Sequence, residues 1–237
     1  MLILNKPQYA KKQLNNLMFI PQQAEKVEFL ADSRAFKTRI LQLIQSANSR
    51  IYLTALYFEK DEAGQEILAA LYQAKQANPS LEIKILVDWH RAQRGRIGEG
   101  AVSSNADWYA EQKAQYHLEQ AIEFWGVPIN KREVFGVLHL KGFIFDNTLV
   151  YSGASINNVY LQQFERYRYD RYHVIENAIL TDSMVELLEK HIISQPAVCR
   201  LDDVDRPKTF ELRPQIKAFR KYLSQQQYQF VGKAQDD

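Results

Sequence analysis

The tightest constraint on this chain is a strand–helix–strand succession between residues 50 and 88. "RIYLTALYF" at 50–58 is rich in the β-branched and aromatic residues that suit a pleated strand. "DEAGQEILAALYQAKQAN" at 61–78 opens on acids and runs into "NP", the start and stop signals of a helix. "LEIKILVD" at 81–88 is a second strand. Such a succession within about forty residues demands a parallel strand pair joined by a right-handed crossover. Ahead of it, Phe36, Ile40, Leu41 and Ile44 recur at helical spacing within 35–49.

After Asp88 periodicity fades through "WHRAQRGRIGEGAVSSNAD". It returns as a helix around 107–120 and a strand near "EFWGVPI". "VFGVLHLKGFIFD" and "LVYSG" read as two strands about a turn at Asp146–Thr148. A helical piece at Asn157–Gln163, a strand "YHVIEN" and a helix "TDSMVELLEKHIIS" follow. The sum is an α/β domain over residues 1–195, with a central mixed, mostly parallel sheet flanked by helices. From Pro196 the stretch "PAVCRLDDVDRPKTFELRP" is polar and carries three prolines, so 196–237 reads as a connecting segment and an amphipathic helix.

Composition is that of an ordinary globular protein, 46% hydrophobic and 24% charged over 237 residues. The net charge of +2 is too mild to argue for a nucleic-acid partner. The single cysteine, Cys199, permits no internal disulfide and reads as an incidental apolar residue of a cytoplasmic chain. The opening "MLILNKPQYAKKQL" is too short an apolar run for a signal peptide. No window reaches the roughly 18–20 apolar residues of a spanning helix.

Chemistry concentrates in "VLHLKGFIFDNTLVYSGASINN", Val137 to Asn158. Side chains alternate along a strand, so His139 and Lys141 share a face. An ammonium is rarely buried without an anion to meet it, whereas a lone histidine is more often a satisfied core residue. Having both on one face points to phosphate, with His139 placed to attack phosphorus. Asp146 lies at odd parity and at the turn, so its simpler reading is a turn residue bonding local backbone.

The order His139, Lys141, Asp146, Gly153, Ser155, Asn157 resembles the H-x-K-x-x-x-x-D signature of the phospholipase D superfamily. Ala154 stands where the usual pattern has serine directly after the glycine. Together with "ALYFEKDEAG", "ILVDWHRAQRGRIG", "YRYDRYH" and "RLDDVDRPK", the motif is similar to the bacterial phosphatidylserine synthase family. That resemblance implies a phospholipase D-like fold and transfer of a phosphatidyl group from CDP-diacylglycerol to L-serine. The transfer would pass through a phosphatidyl-histidine, with no cofactor and no metal. It implies catalytic roles for His139, Lys141 and Asp146, and for Asp170 as the carboxylate that orients the histidine; Glu176 is the fallback. A salt bridge of Asp170 to Arg168 or Arg171 is the competing reading. Ser155, Asn157, Arg91, Arg94 and Arg96 would bind substrate, although an arginine run also suits a solvated face.

The superfamily joins two motifs at one site, and here His90, His117, His173 and His191 all lack a lysine two residues on. The chain therefore reads as an N-terminal half, completed by a C-terminal half or a second protomer. The expected partners are the two substrates and an anionic membrane surface met peripherally from the cytoplasm, with no nucleic acid. A homodimeric phosphodiesterase or nuclease, or a non-catalytic interaction half, are the alternatives.

Overall fold

The computed structural model describes residues 19–94, 103–118 and 121–226. Strand β1 is Val27–Leu30, and helix α1 is Ser33–Ser46, started by Asp32, whose carboxylate accepts the Ala35 amide. Strand β2, Arg50–Thr54, leads to helix α2, Glu62–Ala77, capped by Asp61, and then to strand β3, Glu82–Asp88. A short helix α3, Trp89–Ala92, precedes α4, Asn105–Tyr116, which begins in a reciprocal Ser104–Asp107 capping box. Strands β4, Glu123–Val127, β5, Gly142–Phe145, β6, Thr148–Tyr151, and β7, Tyr172–Glu176, follow. Helix α5, Ala178–Leu187, runs on as π-helical turns to Ile193. The small strand β8, Cys199–Arg200, and helix α6, Arg213–Gln225, complete the described elements.

One eight-stranded sheet in the order β1-β7-β6-β5-β2-β3-β4-β8 carries the domain. The β–α–β unit forms as expected: β2 and β3 are parallel, Leu53 beside Ile85, and β4 extends the parallel set. Both strands are buried along most of their length, as parallel strands covered by helices must be. The sheet is mixed, but the expectation that it is mostly parallel is corrected, since the other five pairings are antiparallel. The reason is connection length. A two-residue turn between β5 and β6 can only reverse the chain, and parallel neighbours need a long crossover.

Three local readings also change. The apolar run 134–146 is not one strand. Glu133–Phe135 is a 3-10 turn, residues 137–141 carry no regular structure, and β5 begins only at Gly142. Residues 157–163 form consecutive turns, with Gln162 at φ 47, instead of a helix. Their two leading asparagines are spent on other partners, described below. The stretch from Pro196, read as a connecting segment, packs onto the common core in its described part. There Leu201, Ile216 and Phe219 are buried with Phe36, Ile40 and Ile44 of α1.

Asp146 sits in the β5–β6 turn at φ 50, a left-handed conformation aspartate tolerates. Its carboxylate does not bond its own turn. It accepts the amides of Asn48, Ser49 and Arg50 at 2.8, 2.8 and 3.0 Å and the Ser49 hydroxyl at 2.7 Å, pinning the entrance of β2. Burial opposes its ionisation, but these donors outweigh burial and hold the carboxyl below its ordinary value. A depressed carboxyl stabilises the fold above its unfolded pKa and loses that contribution as pH falls through the folded value. Asp146→Ala is expected to cost about 1–3 kcal/mol in urea unfolding at neutral pH, since water reaches part of the vacated site. The deficit should shrink below about pH 4; an undiminished deficit there would contradict the carboxylate's part.

Candidate active site

The site gathers where β2 and β3 end, where 137–141 enters β5, and where the chain leaves β6. Asp88, fully buried, closes β3. One carboxylate oxygen accepts the His90 and Arg91 amides at 2.9 and 3.0 Å, capping α3. The other accepts the Leu138 amide at 2.9 Å, which fixes the segment bearing His139. Burial raises the Asp88 pKa, and these amides counter it. His139 itself is exposed, and its ring makes no hydrogen bond to another described residue.

Lys141 is half-buried. Its ammonium donates to the Ser155 hydroxyl at 3.0 Å, and that oxygen also accepts the Leu56 amide at 3.2 Å. Gly142 follows at φ 137, a conformation closed to most side chains, and it turns the segment into β5. Burial pushes Lys141 down to about 8, with the Asp170 carboxylate pulling the other way. Asp170 lies so close over Gly153 that a Cβ there would meet its Oδ2 at 2.6 Å and push the carboxylate aside. Of the competing readings of Asp170, the geometry gives neither the histidine contact nor a guanidinium bridge: it accepts the Arg171 backbone amide at 2.7 Å.

The loop after β6 is welded to the start of α2. Ile156 bridges Phe58, the Asn158 side chain accepts the Ala63 amide at 2.9 Å, and its own amide donates to Asp61 at 2.6 Å. This places Asn157, which donates to Glu59 at 3.2 Å and accepts the Tyr160 amide at 3.0 Å. Tyr57 and Tyr160 stand beside it with ring centroids 6.4 Å apart. Burial raises the Tyr57 phenol, Tyr160 and Glu59 add to the rise, and Arg168 and Arg91 oppose it.

The structure thus brings together Lys141, Ser155 and Asp170, and sets Asn157 in the same loop as Ser155. Asp146 is at the opposite end of β5 from Lys141. Glu176 is at the far end of β7 from Asp170, paired with Lys26 at 2.8 Å. Arg91 and Arg94 converge on Glu133 at 2.7 and 2.8 Å, so they are not a free cationic cluster. Arg96 lies outside the described residues. Asp88, Glu59 and Tyr57 were not singled out from sequence. The available signal was a carboxylate closing an apolar strand, "ILVD", and a polar pair just past another, "LYFE". Among the described residues no group of three or more His, Cys, Asp or Glu side chains is gathered to hold a metal ion.

A family model described as cardiolipin synthase, PLD-like domain, matches residues 40–192. The chain is 56% identical over 225 residues to the CDP-diacylglycerol–serine O-phosphatidyltransferase of Haemophilus influenzae, covering 94% of this chain and 50% of that protein. It is 47% identical over 227 residues to the Escherichia coli protein of the same name, covering 96% and 50%. The crystal structure of phosphatidylserine synthase from Haemophilus influenzae superposes with a TM-score of 0.89 at 54% identity, over 97% of this chain and 50% of that one. The chain spans about half the length of the curated relatives it matches.

The Asp170 field on Lys141 is directly measurable. Asp170→Asn should move the Lys141 titration midpoint, followed by side-chain NMR, below its starting value of about 8. An unmoved midpoint would take Asp170 out of that field.

Proposed function

Because the chain belongs to the family described as cardiolipin synthase, PLD-like domain, we propose that it is one catalytic half of a phosphatidyl transferase. In this reading it moves a phosphatidyl group from CDP-diacylglycerol to L-serine and releases CMP. The observation that carries the reading is Lys141. Its ammonium is stripped of much of its water, rests on a neutral hydroxyl, and adjoins an exposed histidine two residues away. A phosphate is the partner such a cation lacks. The likeness to the two serine O-phosphatidyltransferases, at 56% and 47% identity, supports serine as the acceptor.

The proposed step forms a bond from a ring nitrogen of His139 to phosphorus and breaks the phosphorus–oxygen bond to CMP, which needs a proton as it leaves. The serine hydroxyl then attacks phosphorus, breaks the phosphorus–nitrogen bond to free His139, and passes its proton to the group that protonated CMP. The attacking nitrogen arrives unprotonated, so it cannot also supply the leaving group's proton in the same step. We assign that proton to a second histidine from another half or another protomer. Lys141 is a poor substitute acid, because beside phosphate its charged form is favoured. Asp170 acts by steadying Lys141. Ser155 and Asn157 shape the phosphate pocket, and Arg91 and Arg94 reach an anion only by leaving Glu133. Among the described residues no helix is long and apolar enough to cross a membrane, and the lipid substrate is met peripherally.

A monomer of residues 1–237 should release almost no CMP from CDP-diacylglycerol and serine; robust turnover by that monomer would show that one motif suffices. In a protein carrying both motifs, His139→Ala should abolish transfer while leaving the unfolding midpoint unchanged. CMP binding gives a further check through pH. Phosphate favours charged Lys141, so affinity should decline as pH rises through about 8. Lys141→Met should bind weakly with a flat profile. A flat profile in the unaltered chain, followed by calorimetry from about pH 7 upward, would remove Lys141 from the phosphate.

A further inference from the structure

Two loops flanking the Lys141 corner hold apolar side chains out in solvent. Ahead of His139, Val134 is 89% exposed and Phe135 67%. Between the Asn157 turns and β7, Phe164, Tyr167 and Tyr169 are each more than half exposed. Scattered exposed apolar groups are ordinary, but apolar clusters ringed by charge mark contact surfaces. Both loops are anchored at their bases. Glu133 is gripped by Arg91 and Arg94, the Asn130 side chain donates to the Phe135 carbonyl at 2.9 Å, and the Arg168 amide donates to the Val159 carbonyl at 3.0 Å. Both also adjoin one residue, since Arg168 and Arg91 each oppose the rise of the Tyr57 phenol.

The charge around these tips is positive. Lys131 and Arg132 precede Val134, while Arg166, Arg168 and Arg171 alternate with the aromatics of the second loop, and all five are exposed. Of the nearby carboxylates, Glu133 is taken by two arginines and Asp170 lies over Gly153, which leaves Glu165 facing out. The core of a protein–protein interface excludes charge. The headgroup layer of a bilayer accepts this mixture, with rings at the interface and cations on lipid phosphates.

We infer that these two loops form a membrane-insertion rim. Val134, Phe135, Phe164, Tyr167 and Tyr169 enter the headgroup region of an anionic bilayer, and the cations between them contact lipid phosphates. His139 and Lys141 then open onto the bilayer surface between the two loops. This rests on the lipid-substrate reading above and adds the surface through which the lipid is reached.

The test uses the chain with vesicles of phosphatidylcholine mixed with phosphatidylglycerol. Phe135→Trp and Phe164→Trp each place a reporter in one loop, and the tryptophan signal of the unaltered chain is subtracted. Both reporters should be quenched by lipids brominated high on the acyl chain. The double substitution Val134→Ser with Phe135→Ser should weaken partitioning about tenfold. Arg166→Gln and Arg171→Gln should each weaken it about fivefold, with salt acting the same way. These side chains are exposed, and unchanged urea midpoints show that the variants fold. Vesicle binding that depends on salt but leaves both reporters unquenched overturns the inference. So does a response of the reporters to single-stranded oligonucleotide with none to vesicles, which would make the surface a nucleic-acid contact. Failed insertion with CDP-diacylglycerol still bound from detergent strikes this inference alone. Insertion without that binding strikes the transferase reading instead.

Discussion

The site is organised by a carboxylate that, among the described residues, meets no cation at bonding distance. Asp88 is fully buried and satisfied by three backbone amides, from His90, Arg91 and Leu138. A buried charge is tolerated only when its oxygens are well bonded, and amide donors to a carboxylate are among the stronger hydrogen bonds. One side chain thereby joins the end of a core strand, the start of the helix that carries Arg91, and the segment that carries His139. Because amides satisfy Asp88, the nearby cations go elsewhere: Arg91 to Glu133, and Lys141 to Ser155.

A second weld complements the first. The loop leaving β6 is fixed to the head of α2 through Asn158, Asp61 and the Phe58–Ile156 bridge. The two welded bodies meet at the hydroxyl of Ser155, which takes the Leu56 amide and the Lys141 ammonium together. A side chain held by rigid elements and backbone donors keeps its geometry without help from a ligand.

Much of this was readable from the chain. The β–α–β unit announces itself because strand composition and helix end signals are local properties, and the pairing of β2 with β3 follows from them. His139 and Lys141 stand out by spacing alone, and the parity of Asp146 already separated it from them. What escaped was information held by partners distant in sequence. Asp146 bonds residues up to 98 positions away, and nothing in "FDNT" names them. The run 134–146 is apolar enough for one long strand, but Gly136 at φ 145 and Gly142 at φ 137 break it where the site needs bends. Arg91 and Arg94 resemble a free cluster until Glu133, some forty residues on, arrives between them. The antiparallel half of the sheet depended on which strands end up adjacent, which single-segment patterns do not encode.

The placing of β1 at the sheet edge has a consequence for how the molecule is made. Among the described residues β1 pairs only with β7, and Lys26 beside it bonds Glu176 across 150 positions of sequence. Closing so long a loop is entropically slow, and distant pairings of this kind set folding rates. During synthesis β1 is therefore finished long before its partner exists, and it waits with its ladder amides and carbonyls unpaired. Asp170, just ahead of β7, reaches Lys141 only when that late strand docks. An incomplete chain holding His139 and Lys141 but not β7 would lack the carboxylate that favours the charged lysine, so that electrostatic pairing waits until the sheet is closed.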